Sequence, residues 1–483
     1  MTRAFALLCA IAAASSGNAA LTAATTVAAA TSSGYSAFLE PQMSPRAIAV
    51  DARGRAVVAG VSGARAFVRK LSADGGRVVF TAWLGAESGY ARTEAMAVAV
   101  DRAGNAYVTG RTTQKAFRVT RGAFRDTDAF AEGDAAAFVV KLSADTGAVV
   151  YSALLVGGTG RGIGVDFAGR TWIAGTTADS RLATSPDAFQ SKAPSGASAF
   201  LIELDPGGRN MLYATYIGGA DAPSSVEAMA VDPGGNVYLA GTTASAAFPT
   251  RRPVQVKASV SPDCPDASEA FAMKFGADHK IAYSTFLGGG CRDEAAAVTV
   301  DLAGNAYVTG WTNSADFPCR HGFQCGTARP PGAFVTKIAA DGKSLAYSFL
   351  LNGTSGESRA TSIGVSQGCA YVTGWTTSAD FPKEGPWPTA SDRARVGGSH
   401  DLFVAKVAET GERLAYSHAI GGVPEARATA IAIGSSGDLY VTGVAERPFV
   451  TKLVSDSSPA TARSTAPAGS AGDALSDRRF RQP

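Results

Sequence analysis

Charge is scarce in this 483-residue chain. Asp, Glu, Lys and Arg make up 18 % of it, below the quarter or so usual for globular proteins. The 44 basic and 41 acidic side chains leave a formal net charge of +3, too even a balance to draw the chain toward a phosphate backbone or an anionic lipid surface. Nucleic acid is therefore not an expected partner. Helical periodicity of useful length is missing, and beyond the first 14 residues no window approaches 18 apolar residues, so no transmembrane segment is expected in the mature protein. Tryptophan is rare, with five residues at 83, 172, 311, 375 and 387. They form no series in step with a repeat, which argues against a quinone-dependent dehydrogenase. What the chain has in quantity is glycine, 55 residues, and 46 % apolar side chains, the composition of a turn-rich, well-cored globular protein.

The ends differ from the middle. Arg3 precedes an apolar stretch, and the small-residue segment SSGNAA follows, the layout of a secretory signal peptide over residues 1–20, with cleavage as late as residue 30 also compatible. A secreted, periplasmic or cell-surface protein is expected. Residues 455–483 are polar, rich in Pro, Ser and Ala, and without period, which predicts a disordered tail.

Between the ends one unit recurs. A turn leads into an aromatic or apolar run closed by glycine: GRAVVAG at Gly60, GNAYVTG at Gly110, GRTWIAG at Gly175, GNVYLAG at Gly241, GNAYVTG at Gly310, GCAYVTG at Gly374 and GDLYVTG at Gly443. A second run follows each, opening at Phe67, Phe138, Phe200, Phe271, Phe334, Phe403 and Phe449. A third run follows all but the last, and a fourth precedes each turn. Seven units of four short runs predict an all-β fold, a seven-bladed β-propeller of four-stranded antiparallel blades over residues 35–453. The missing outer run of the last unit stands at the other end, as YSAFL (35–39). The ring is then closed by pairing of this N-terminal strand with the C-terminal blade.

The stretch DLAGNAYVTGWTNSADFP (301–318), followed by AFVTKI and LAYSFLLNG, resembles the bacterial β-propeller repeat family called SBBP. The resemblance implies the propeller fold and an exported or cell-surface setting, and it implies no defined reaction.

The recurrent polar residues read as structure. Asp101, Asp166, Asp232 and Asp301 begin D-x-x-G turns. A calcium loop needs oxygen ligands at alternate positions, and DRAGN offers none at the third; hairpin chemistry accounts for the pattern. Lys70, Lys141, Lys274, Lys337, Lys406 and Lys452, with Glu203 in the third copy, are expected to pack their stems and leave their charges in water. GVSQG (364–368) imitates a nucleophile elbow, but a strand follows it where that motif needs a helix. Ser399, His400 and Asp401 are triad residue types in sequence, and neighbours on a strand point to opposite faces. In an exported protein cysteines pair by default. Extending the hairpin centred near residue 278 sets Cys264 almost opposite Cys291, and Cys319 and Cys325 share one loop. Two disulfides are expected, with Cys369 left free. His321 between Cys319 and Cys325 raises a metal site as the alternative, but three ligands in one loop suit a bridge better. No metal and no cofactor is expected.

Function is expected on the face carrying the long second-to-third connections (111–137, 176–199, 242–270, 311–333 and 375–402), which bring Trp311, Trp375 and Trp387. The Phe-Pro pairs at 248, 317 and 381 read as anchors of each loop onto its own blade. The same face carries Glu94, Glu227, Glu294, Glu357 and Glu425, each expected shortly before an innermost strand, near the mouth of the central channel. These eight residues are the candidate binding residues. No catalytic residue is assigned, and the expected function is a monomeric, non-catalytic scaffold for a protein or glycan. The alternative is an extracellular polysaccharide hydrolase or lyase working through carboxylates at the channel mouth.

Overall fold

The computed structural model describes residues 34–453, apart from 88–89, 126–129, 131–134, 195, 259–260, 262, 324–330, 386–399 and 422–424. The expected signal peptide and tail lie outside the described residues, as do Trp387 and Cys325. Numbered along the chain, β1 is Tyr35–Phe38. Blade 1 holds β2 (Met43–Val50), β3 (Ala56–Ser62), β4 (Arg65–Leu71) and β5 (Val78–Leu84). Blade 2 holds β6 (Thr93–Val100), β7 (Ala106–Thr112), β8 (Ala136–Leu142) and β9 (Val149–Gly157). Blade 3 holds β10 (Thr159–Val165), β11 (Thr171–Thr177), β12 (Ser198–Leu204) and β13 (Met211–Ile217). Blade 4 holds β14 (Ser224–Val231), β15 (Val237–Thr243), β16 (Glu269–Phe275) and β17 (Ile281–Leu287). Blade 5 holds β18 (Asp293–Val300), β19 (Ala306–Thr312), β20 (Gly332–Ile338) and β21 (Leu345–Leu351). Blade 6 holds β22 (Ser358–Ser366), β23 (Cys369–Thr376), β24 (Asp401–Val407) and β25 (Leu414–Ile420). Blade 7 holds β26 (Arg427–Ile433), β27 (Leu439–Val444) and β28 (Pro448–Leu453).

Each blade is an antiparallel sheet in chain order, and the seventh is completed by β1, giving β1-β28-β27-β26. Tyr35 pairs with Lys452 and Phe38 with Phe449, so the two ends of the chain close the ring. The innermost strands touch around it, and β26 touches β2. The phenol of Tyr440 in blade 7 donates to Gly54 O of blade 1 at 3.0 Å, a second contact across the closure.

The glycine that ends every second strand has a steric cause. All seven innermost strands carry a β-bulge, after Pro45, Ala95, Gly160, Val226, Ala295, Ala360 and Ala428. The bulge presses a carbonyl of the innermost strand onto the glycine: a Cβ on Gly110, Gly241, Gly310 or Gly374 would sit 1.9 Å from the oxygen of Glu94, Ser225, Glu294 or Arg359. Only hydrogen fits there. The phenylalanines opening the third strands pair opposite these glycines, and Phe67, Phe138, Phe200, Phe271, Phe334 and Phe403 are fully buried between blades.

The lysines depart from expectation. Lys70 is wholly buried, ion-paired with Asp51 at 2.8 Å and donating to Gly104 O of blade 2 at 2.8 Å. Elsewhere the ammonium lies over the tyrosine of the neighbouring second strand, Lys141 on Tyr107, Lys274 on Tyr238, Lys337 on Tyr307 and Lys406 on Tyr371, at 4.8–5.0 Å. The tyrosine hydroxyl in turn donates to the turn aspartate, as Tyr307 does to Asp301 at 2.9 Å. Strand pairing sets lysine beside tyrosine, so the cation lies against a ring, with Asp101 3.8 Å from Lys141, while Lys141, Lys274 and Lys406 stay half-buried. The turn aspartates spend their oxygens on the chain itself: Asp301 accepts from the Asn305 backbone at 2.9 Å and side chain at 2.8 Å.

Candidate functional site

Connections between first and second strands and between third and fourth strands lie on one face, the turn face. The others lie on the long-loop face. On the latter a cleft of about 900 Å³ opens between blades 4 and 5. Its walls are the start of β14 with Ser224, Ser225 and Glu227, the start of β18 with Glu294, and Arg292 just before it. The end of the blade 4 loop adds Asp266 and Ser268. Hydroxyl, carboxylate and guanidinium groups alternate in the lining with alanine and proline, and among the described residues no aromatic ring joins them. The Cys264–Cys291 disulfide ties the blade 4 loop to the segment leading into β18, with Cα atoms 5.2 Å apart. Beneath it two buried carboxyls, Glu269 and Asp293, flank Gly288. Burial pushes the Asp293 carboxyl up, opposed by donation from Ser314 and the Gly289 N–H.

The structure brings Glu227 and Glu294 into this one cleft. Arg359 of β22 links Glu294, at 3.6 Å, to Glu357, at 2.5 Å. Glu425 pairs with Arg427 at 2.7 Å and lies 3.4 Å from His400. Glu94 stands apart in blade 2, in a cross-strand pair with Arg111 at 3.7 Å. Glu227 meets Arg161 of blade 3 at 3.6 Å, and Glu294 also meets Arg292. Every candidate glutamate thus faces an arginine that the sequence reading passed over. The signal was present in the alignment of units: Glu94, Glu294 and Arg359 occupy the second place of their innermost strands, and Arg161 and Glu227 occupy the bulge.

Trp311 and Trp375 lie at the ends of β19 and β23, not in the loops. The Arg359 guanidinium sits 4.0 Å from the Trp311 ring centre, and Arg427 sits 5.4 Å from that of Trp375, which also meets the His400 ring edge-on at 4.3 Å. Their faces are engaged by cations within the fold. The long loops do not stand as a crown. Phe248, Phe317 and Phe381 are buried, stacked on Phe271, Phe334 and Phe403 at 4.4–4.8 Å, which is the anchoring expected of the Phe-Pro pairs. Beyond them each loop runs over the outer edge of its own blade. Cys319 is disulfide-bonded and Cys369 is free.

The geometry defines a β-propeller whose distinctive chemistry lies at one inter-blade cleft. The SBBP family, described as a beta-propeller repeat, matches three times, over residues 84–117, 212–249 and 283–318. Each match runs from an outermost strand through the next blade's first two strands to its anchoring phenylalanine, so the sequence repeat straddles the blade boundary. No curated protein matches the chain. Among solved structures it is similar to the WD40 beta propeller domain of Doa1, at 10 % identity and a TM-score of 0.47 over 88 % of this chain and 97 % of that one. It is also similar to virginiamycin B lyase from Staphylococcus aureus, at 8 % identity and a TM-score of 0.46 over 87 % and 98 %. The extracellular domain of the putative hybrid two component system BT4673 from B. thetaiotaomicron aligns at 10 % identity and a TM-score of 0.44 over 88 % and 43 %.

Proposed function

We propose that this protein is an exported, non-catalytic scaffold that binds a protein or glycan through the cleft between blades 4 and 5. The observation that carries the reading is the composition of that cleft, about 900 Å³ walled by Ser224, Ser225, Glu227, Asp266, Arg292 and Glu294. Convergent hydrogen-bonding groups on rigid strands, braced by a disulfide, suit a hydroxyl-rich or charged ligand. Ring stacking contributes little, because Trp311 and Trp375 already hold arginines. The signal-like N-terminus and the disulfide support export.

One observation favours the hydrolase or lyase reading as the alternative: Glu227 and Glu294 line the same cleft, as a carboxylate pair would. Glycan-array and pull-down binding on the mature protein, run beside a glycosidase and lyase panel, separates the two. Binding without turnover is expected. Turnover abolished by Glu294→Gln would replace the scaffold with the enzyme.

A further inference from the structure

In blades 2 to 6 the long loop adds a fifth, strand-like segment to the outer edge. Arg251 exchanges both backbone hydrogen bonds with Ser284 of β17, at 3.0 and 2.8 Å. Arg320 does so with Ser348 of β21, at 2.7 and 2.7 Å, and Glu384 with Ser417 of β25, at 3.1 and 2.9 Å. In blade 2 Thr120 donates to Ser152 O, and in blade 3 Ser185 donates to Ala214 O. Blade 1 has only residues 63 and 64 between β3 and β4, so it has no loop to spend. The place of Ser284 is taken there by Thr81, which pairs inward with Arg69 as Ser284 does with Met273. Among the described residues nothing pairs with the outward backbone of Thr81.

The side chains next to that edge are uncovered in the same way. Trp83 stands opposite Phe67 as Phe286 stands opposite Phe271. Phe286 is 1 % exposed beneath Phe248, whereas Trp83 is 38 % exposed, with no loop over it and the Arg65 guanidinium 4.4 Å from its ring centre. Beside it runs a groove of about 670 Å³, walled by Trp83, Val149 and the blade 2 segment bearing Arg118 and Arg121, with no acidic side chain among the described residues of its lining. An unpaired strand edge, a part-exposed aromatic that no loop covers and a cationic wall together specify an occupant: extended backbone carrying apolar and acidic side chains.

We propose that blade 1 is a strand-addition site, at which an acidic, extended segment of a partner polypeptide takes the fifth position that blades 2 to 6 fill from their own loops. The site lies on the outer rim, away from the cleft between blades 4 and 5, and stands independently of its function. A suitable probe is a synthetic peptide of the chain's own blade 6 rim sequence, SADFPKEG (residues 378–385), with a second peptide in which its Asp and Glu are replaced by Lys.

Added to the mature protein, the acidic peptide is expected to slow amide exchange within 78–84, centred on Thr81. The reversed-charge peptide should bind about tenfold more weakly at low salt. Thr81→Pro removes the outward N–H at an edge that tolerates proline and is expected to abolish protection with the melting temperature kept. Trp83→Ala is expected to weaken binding independently of the backbone. Lack of protection at millimolar peptide, or equal protection in Thr81→Pro, would overturn the proposal. Concentration-dependent protection of β5 without peptide would overturn it too, by identifying a second copy as the occupant.

Discussion

On the turn face of blades 2, 4, 5 and 7 an acid, a lysine and a tyrosine meet in much the same way, whereas among the described residues of the long-loop face no two blades present the same set of side chains. Asp101, Lys141 and Tyr107 in blade 2 recur as Asp301, Lys337 and Tyr307 in blade 5. Where blade 3 departs, the departure preserves neutrality. Glu203 replaces lysine and is met by Arg170 at 2.8 Å and His279 at 2.9 Å, with Arg170 also held by Asp166. Repetition with compensated exceptions marks a structural device, because every blade must solve the same packing problem. The cleft between blades 4 and 5 is repeated nowhere in the same chemistry, and side chains that differ where the scaffold does not require it are the ones free to serve a ligand.

The two faces separate under mutation. The largest effect is expected from Lys70→Met, which takes the buried ammonium away from Asp51 and from Gly104 O, leaving Asp51 with Arg55 alone as its cation, and should cost about 4 kcal/mol, read as a fall in melting temperature, while ligand affinity at the cleft is kept. Replacing both Cys264 and Cys291 by Ser removes a bridge spanning 27 residues and should cost about 3.5 kcal/mol by chain entropy. It should also weaken cleft binding, because the bridge holds the blade 4 loop against the β18 wall. A contribution to stability with unchanged affinity would show that the walls are held by something else.

The blade 3 exception brings a histidine to Glu203, which stands where the other blades place a lysine. Hydrogen bonding to Glu203, and then to Asp187 at 2.7 Å, holds the His279 imidazolium above its usual pKa despite burial, with its ring stacked on Tyr213. The same imidazolium holds the Asp187 carboxyl down. A raised folded-state pKa stabilises fully below the unfolded value of about 6.5 and is lost as pH rises through the folded value. Stability measured from pH 5 to 9 is therefore expected to fall, and His279→Asn should flatten that slope. An unchanged slope would place the pH dependence elsewhere. The smallest change in stability, under about 1 kcal/mol, is expected for Glu294→Gln, whose ion pairs are partly exposed.

The blade count, strand order and ring closure were legible in the sequence because each rests on local chemistry repeated seven times, from the glycine under the bulge to the phenylalanine opposite it. The Cys264–Cys291 bridge was legible because hairpin register carries across a short distance. The burial of Lys70 was not, since the group that receives it, Gly104 O, belongs to the next blade. Nor was the course of the long loops: Phe317 and Pro318 announced an anchor, but the pairing of Arg320 with Ser348 depends on which sheet edges lie bare after folding. Of the candidate glutamates, Glu227 and Glu294 meet only through the packing of blade 4 against blade 5, a contact between units that spacing within a unit does not encode.

The most direct measurement is a side-by-side determination of melting temperature and affinity for Lys70→Met and Glu294→Gln, using whichever glycan or protein the array or pull-down recovers. The expected result is a large loss of melting temperature with retained affinity in the first, and retained melting temperature with lost affinity in the second. Undiminished binding by Glu294→Gln would contradict the assignment of function to the cleft on the long-loop face.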